Sequence, residues 1–231
     1  KLFGSGLLQG LNLMITAGPT FEPIDPVRFI GNRSSGRMGF AMAEAATELG
    51  AVVTLVAGPV HLATPKHCTR IDVETAQDMH QAVMLTIEHQ DIFIATAAVA
   101  DYRPVLAQSE KIKKTTEELT LPLIRNPDIL KDVAALPQPP FTLGFAAETQ
   151  HIEKHAREKL THKKCHMIAA NLITEKNSQH PEQDTGFNSE YNALQVYWKG
   201  GEISFPHGRK TQLARLLLSL LAEQYHENIT T

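Results

Sequence analysis

From Asp91 to Ala97 the chain reads Asp-Ile-Phe-Ile-Ala-Thr-Ala, almost wholly apolar, and this constrains the fold more than any other segment. A strand with apolar residues at odd and even positions has to be covered on both faces, which is the situation of a central parallel strand between two layers of helices. The rest of the chain supplies the other parts, because short β-like runs alternate with helical periodicity. Leu11–Thr16, Val52–Val56, Thr69–Val73, Leu119–Ile124, Phe141–Ala146 and Met167–Ala170 read as further strands. Helices are expected from Gly36 to Leu49, with Gly50 just beyond the end, from Thr75 to His89, and from Pro127 to Leu136, opened by its proline. Ile152, Ala156 and Leu160 repeat every fourth residue and mark another helix; Leu213, Leu216, Leu217, Leu220 and Leu221 mark an amphipathic closing one. Ala193–Trp198 and Glu202–Phe205, joined through Lys199-Gly200-Gly201, form a hairpin. The expected fold is a doubly wound α/β domain: a mostly parallel, Rossmann-like sheet with helices on both faces and a small mixed edge.

Composition narrows the partners. The 22 Lys+Arg against 25 Asp+Glu give a net charge of −3, which excludes a dominant nucleic-acid surface. The longest apolar stretch, Ile92 to Ala100, is about half of a membrane span, so no membrane partner is expected and the reading is cytoplasmic. Cys68 and Cys165 stand far apart without a CxxC, arguing against a disulfide framework or a structural zinc. With 231 residues one large domain is expected over residues 11–228, residues 1–10 being a linker or remnant. The chain opens on Lys1, which suggests a piece of a longer polypeptide.

Long loops at the carboxyl ends of sheet strands are where open α/β proteins place ligands. Between the first strand and its helix lie roughly twenty residues, Thr16 to Ser35, far more than a tight turn needs. They end in Gly31-Asn-Arg-Ser-Ser-Gly-Arg-Met-Gly39, whose hydroxyls and helix N-terminus offer an anion site. Arg37 and Met38 replace the Lys and Ser/Thr of a P-loop, and no GxGxxG occupies the first turn. A Ser-capped, closely packed helix start is an equally good reading of the spacing alone. Asp101 follows the small-residue loop Ala95–Ala100, where a carboxylate can take a ribose hydroxyl, a metal, or only a turn. Glu110-Lys-Ile-Lys-Lys-Thr-Thr-Glu-Glu118 reads either as a solvated run or as a flap that brings lysines to phosphates. Lys159 and Lys163, four apart, are a mild anion signal against a plain exposed face. His151 and His155 lack the Glu of HExxH and a third ligand. No G-x-S-x-G elbow or activated cysteine supports a covalent hydrolase.

Taken together, Thr16-Ala-Gly-Pro-Thr20, Asp25-Pro-Val-Arg-Phe-Ile30, Asn32-Arg-Ser-Ser-Gly36, Ala97-Ala-Val-Ala-Asp-Tyr102, Glu110-Lys-Ile-Lys-Lys114, Asn126-Pro-Asp-Ile129, Gly144-Phe-Ala-Ala-Glu-Thr149 and Gly186-Phe-Asn-Ser189 resemble, in order and over nearly the whole chain, the bacterial phosphopantothenoylcysteine synthetases. The resemblance implies a ligase of coenzyme A biosynthesis that joins 4′-phosphopantothenate to L-cysteine through an acyl-cytidylate, with CTP as co-substrate and Mg²⁺ as cofactor. It implies a nucleotide site at Ala95, Thr96, Ala97, Asp101, Lys111, Pro127, Asp128, Ile129, Leu130, Phe145, Lys159 and Lys163. It also implies a substrate site at Arg28, Asn32, Ala97 and Ala98, with Asn32, Lys111 and Arg28 in catalytic roles and the metal ligands open. A homodimer with the site near its interface is implied, with help from the Thr174–Asn192 segment. The family is often fused to a flavin-dependent decarboxylase, so no flavin is expected on this chain. The pattern departs at a shorter segment between Lys114 and Asn126, and in having Arg37 for Lys. Rival readings are a dinucleotide-dependent oxidoreductase, which shares the fold class, and a non-catalytic nucleotide-binding module.

Overall fold

A computed structural model describes residues 6–114, 117–148, 152–172 and 189–230. In chain order the strands and helices are β1 (Asn12–Ala17), β2 (Phe21–Pro23), β3 (Phe29–Gly31), α1 (Arg37–Glu48), β4 (Val52–Ala57), β5 (Cys68–Asp72), α2 (Ala76–Met84), β6 (Ile92–Ala95), β7 (Tyr102–Pro104), β8 (Leu123–Arg125), α3 (Ile129–Ala134), β9 (Phe141–Glu148), α4 (Ile152–Lys163), β10 (Met167–Leu172), β11 (Tyr191–Trp198), β12 (Gly201–Arg209) and α5 (Lys210–Thr230). Eight strands form one sheet in the order β12-β11-β10-β9-β6-β1-β4-β5. From β5 to β10 neighbouring strands run parallel, and β11 and β12 add an antiparallel edge. Counted among the parallel strands alone the order is 3-2-1-4-5-6, the doubly wound Rossmann order, whose switch point lies between β1 and β6.

Strand geometry accounts for the two layers, since successive side chains point to opposite faces. Leu13 and Ile15 of β1, Val53 and Leu55 of β4, and Ile92 and Ile94 of β6 join one buried cluster with α1 and α5. Met14, Val56 and Phe93, from the intervening positions, join a second with α2, α3 and α4. The apolar run of β6 is therefore covered twice, as its sequence requires.

Several local expectations change. Residues 6–10 belong to the domain and are no linker: Leu8 is fully buried in the α1/α5 core and its N–H donates to the Leu49 carbonyl at 3.1 Å. The strand expected over Leu119–Ile124 is confined to β8, which pairs with β7 in a small antiparallel sheet apart from the main one. Pro127 does not open α3; Asp128 does, accepting from the Lys131 N–H at 3.2 Å. The helix expected through His89 ends as α2 at Met84 and resumes as one 3-10 turn at Ile87–His89, while Thr75 and Asp78 make a reciprocal capping box at its start. Thr149, His151, the Gly186–Asn188 part of the last motif and most of the Thr174–Asn192 segment lie outside the described residues.

Helix α1 is capped by a glycine and not by a serine, the cap that one of the two readings of this segment offered. Gly36 occupies the cap position at φ 73°, with no side-chain cap, a left-handed geometry that glycine adopts at no steric cost. Three residues on, a Cβ at Gly39 would stand 2.4 Å from Thr96 Oγ1 and 2.5 Å from Ala17 Cβ. The helix thus lies against the ends of β1 and β6 as closely as a backbone can. Gly39→Ala is accordingly expected to lower stability by about 1–3 kcal/mol, the usual cost of overpacking, measured as a shift of the urea midpoint; an unchanged midpoint would mean the helix can lift away freely.

Candidate functional site

At the switch point the strand ends open into a cleft of about 680 Å³. Its floor is the loop after β6, Ala95–Asp101, together with Thr16. This loop is held from below: Thr96 Oγ1 donates to the Thr16 carbonyl at 2.6 Å, Ala98 N–H to the Gly18 carbonyl at 2.8 Å, and Ala100 N–H to Thr20 Oγ1 at 3.0 Å. Asn126 Nδ2 donates to the Ala100 carbonyl at 2.8 Å and its N–H to the Asp101 carbonyl at 2.9 Å. The alanines that lie between these bonds leave backbone approachable from the cleft.

The cleft straddles the sheet edge. On the α3/α4 side, Pro127–Leu130, Phe145, Lys159 and Lys163 line it. Asp128 joins the two helices: besides capping α3, it takes Lys163 Nζ at 3.0–3.1 Å on its two oxygens. On the α1/α5 side the walls are Asn32, the Ser34–Gly39 start of α1, Asn171, Asn192 and Lys210. Lys210 is only 6% exposed, and burial, with the charge of Arg37 beside it, brings its pKa down to about 8. Asn32 Nδ2 donates to the Val99 carbonyl at 2.8 Å, which ties the approach to α1 to the floor. Asn171, Asn192 and Lys210 escaped the sequence reading because no spacing links them; the one signal available was that Asn171 closes a strand at its carboxyl end.

One cleft therefore gathers Asn32, Ala95–Ala98, Asp101, Pro127–Leu130, Phe145, Lys159 and Lys163. Arg28 and Lys111 do not line it. Arg28 sits between β2 and β3, where its Nε and Nη2 donate to Asp25 Oδ2 at 3.0 and 2.5 Å and its Nη2 also to the Ile112 carbonyl at 3.0 Å. Asp25 in turn accepts from the N–H groups of Val27 and Arg28 at 2.9 Å and of Ile112 at 3.1 Å. The Arg28 guanidinium holds the Asp25 carboxyl far below the ordinary aspartate range, and these backbone donors add to the effect. The pair clamps the backbone immediately beside Lys111.

The carboxylates lining the cleft are Asp101 and Asp128, and the described residues contain no cluster of three metal-ligating side chains. An ion held chiefly by the phosphates of a substrate, as Mg²⁺ is, needs no more than one or two protein carboxylates. Both thiols are pushed up to about 11 by burial, the opposite of nucleophile activation. Cys68→Ser and Cys165→Ser, singly or together, are expected to keep turnover within about twofold of the parent; loss of turnover in a folded Cys165→Ser protein would reveal a covalent role.

Fold and cleft define a doubly wound α/β protein of Rossmann order with its cavity at the switch point. A family model described as the DNA/pantothenate metabolism flavoprotein C-terminal domain matches residues 8–225, and the chain belongs to that family. It is 50% identical over 227 residues to the Vibrio cholerae coenzyme A biosynthesis bifunctional protein CoaBC, covering 97% of this chain and 55% of that protein. To the Escherichia coli K12 protein of the same name it is 49% identical over 224 residues, 95% of this chain and 53% of that one. The chain thus spans about half the length of these relatives. A crystal structure of the C-terminal domain of a CoaBC protein superposes with a TM-score of 0.80 at 39% identity, covering 96% of this chain and all of that one. No described helix is long and apolar enough to cross a membrane.

Proposed function

We propose that this chain is the phosphopantothenate–cysteine ligase half of a bifunctional coenzyme A biosynthesis protein, cytoplasmic, using CTP and Mg²⁺, with flavin chemistry left to a decarboxylase half. One observation carries the reading: apart from Arg28 and Lys111, the nucleotide and acyl-site residues implied by the resemblance line a single cleft at the switch point. Family membership and the absence of a tight glycine turn after β1 count against a dinucleotide-dependent oxidoreductase.

A carboxylate is inert toward amines at neutral pH. In the proposed reaction a carboxylate oxygen of phosphopantothenate attacks the α-phosphorus of CTP and pyrophosphate leaves; the amine of cysteine then attacks the acyl carbon, CMP departs and the nitrogen gives up a proton. The protein's work is positioning and charge neutralisation, for which no protein nucleophile is needed. Lys159 and Lys163 stand at the α3/α4 end to meet phosphate charge, and Asp101 and the Pro127–Leu130 backbone to hold the nucleoside. Bound Mg²⁺ would neutralise triphosphate charge as pyrophosphate leaves.

A homodimer belongs to the same proposal. The small sheets expose Val27, Phe29, Tyr102, Leu123 and Ile124, continued by Val105 and Leu106, and an apolar patch of this kind marks an association surface. Arg28 lies on that patch and away from the cleft of its own chain, so a second copy, or closure of the Lys111 segment, is what would carry these groups to substrate. Pyrophosphate release from CTP and phosphopantothenate, followed by phosphopantothenoylcysteine formation on adding cysteine, tests the reading; turnover of a nicotinamide cofactor, or binding of CTP without pyrophosphate release, would replace it.

A further inference from the structure

Among the described residues the buried charged side chains are Glu22, Asp25 and Lys210. Asp25 belongs to the Arg28 clamp and Lys210 lines the cleft; Glu22 has no part in either. It stands in the middle of β2, opposite Ile30 of β3, and is 1% exposed, although the small sheets around it are open to solvent at both ends of β3 and along all of β8. Its carboxyl group turns inward to the main domain. Oε1 accepts from the N–H of Ala76, the first residue of α2, at 2.9 Å, and the neighbouring Phe21 N–H donates to the Glu74 carbonyl at 2.8 Å. Two consecutive residues of the arm are thus fixed to the entry of one helix.

The helix does not need Glu22 in order to start. Thr75 and Asp78 already close a capping box there, with Asp78 N–H on Thr75 Oγ1 at 3.1 Å and Thr75 N–H on Asp78 Oδ2 at 3.0 Å. Glu22 Oε2, moreover, is buried with no hydrogen-bond partner among the described residues, a cost that an apolar side chain would avoid. What the carboxyl supplies is the junction. Its footing is rigid, because Met79 and Val83 of α2 are fully buried in the second core cluster. From the junction, hydrogen bonds lead both ways. Before it, Thr20 Oγ1 holds the cleft floor at the Ala100 N–H. Beyond it, Ile24 gives its N–H to the Arg28 carbonyl at 2.8 Å and takes the Gln108 N–H at 2.9 Å, and Asp25 grips Arg28 and Ile112.

We infer that Glu22 is a positioning residue: it anchors the β2–β3 arm on the start of α2 and so sets where the Asp25 clamp presents Arg28 and the Lys111 segment. It touches no substrate. The effect on catalysis rests on the ligase reading above, whereas the anchoring does not.

Amide exchange followed by NMR tests the anchoring without turnover. A first-turn N–H has no partner inside its own helix, so exchange at Ala76 reports the Glu22 bond itself. In Glu22→Leu the amides of Ala76, Gln108 and Ile112 should exchange at least about tenfold faster, while those of β1 and β6 keep their parental rates. If that variant does not fold, the parent decides: the three amides should open as one unit, with a common dependence on denaturant, and Gln108 and Ile112 opening independently of Ala76 would overturn the anchor. Pyrophosphate release then tests the positioning. Well below its thermal midpoint, Glu22→Leu should lose about ten- to a hundredfold in kcat with the KM for CTP within about twofold of the parent, and Glu22→Gln, which keeps an oxygen for the Ala76 N–H, should recover to within about threefold. In a Lys111→Gln background the same Glu22→Leu change should cost less than about twofold, because the lysine it positions is gone. A residue that only stabilised the fold would leave kcat per folded molecule untouched. Parental exchange at Gln108 and Ile112 in a folded Glu22→Leu protein overturns the anchor; undiminished kcat, or a full additional loss on top of Lys111→Gln, overturns the positioning role. A parent protein that releases no pyrophosphate would instead fault the ligase reading, and exchange alone would then decide the anchor.

Discussion

Asn32→Asp is expected to keep pyrophosphate release within about tenfold of the parent while phosphopantothenoylcysteine formation falls by about a hundredfold or more, the size of effect seen when one donor to a developing negative charge is lost. The side chain lines the cleft and its Nδ2 donates to the Val99 carbonyl at 2.8 Å. An aspartate would set a carboxylate against that carbonyl and against the phosphate of an acyl-cytidylate lying over Ala97 and Ala98. An amide can donate and accept there without titrating. The simpler view, that asparagine serves a left-handed turn, has no support in the backbone: among described non-glycine residues only His67 and Lys164 have positive φ. Mass spectrometry of quenched reactions reads the outcome. An accumulating phosphopantothenoyl-cytidylate is the expected result, and an undiminished yield of the amide would remove Asn32 from the chemistry.

Lys111→Gln carries the second large effect. Pyrophosphate release should drop about a hundred- to a thousandfold, equivalent to roughly 2.7–4 kcal/mol for a positioned donor at developing phosphate charge, with the thermal midpoint unchanged because the side chain is exposed. The segment that carries Lys111 is not loose where it is gripped, since Ile112 gives its N–H to Asp25 and its carbonyl to Arg28. Asp25→Asn should therefore reproduce part of the Lys111→Gln loss although Asp25 touches no substrate in this scheme. Retention of more than about a third of parental turnover by Lys111→Gln, a loss under about 0.7 kcal/mol, would reduce the lysine to a surface charge. The clamp also sets an acid limit. The Asp25 carboxyl is held below its unfolded value, so its contribution to stability is complete above the ordinary aspartate pKa of about 3.9 and is lost as pH falls through and below it.

The layers were legible because they are written in periodicity. Ile92–Ile94 must be covered twice, and the leucines of α5 repeat at helical spacing, so the doubly wound sheet follows. The small sheets were not, because three-residue strands such as Phe21–Pro23 and Phe29–Gly31 are too short to show alternation and are defined by pairing across a turn. The Leu119–Ile124 segment misled for the related reason that apolar content without helices to cover it goes to a surface arm. Most of the cleft was reachable through an ordered series of motifs, none decisive alone. Arg28 and Lys111 carried the right charge for the chemistry, but where a charge ends up depends on partners such as Asp25, which only the folded chain brings within reach. Lys210 was invisible for the opposite reason: as the first residue of an amphipathic helix it looks like any solvated lysine, yet it is only 6% exposed in the folded chain.

Gly39 has a thermodynamic consequence beyond the space it saves. With no side chain between α1 and the ends of β1 and β6, the start of the helix and the floor of the cleft cannot shift independently, and this half of the cavity has little freedom left to lose when a ligand arrives. The ordering cost of binding then falls on the Lys111 segment and the small sheets. Changes in that arm should alter how fast and how tightly nucleotide is captured, and the heat-capacity and entropy signatures of binding should follow the arm's sequence while the rigid half contributes a constant.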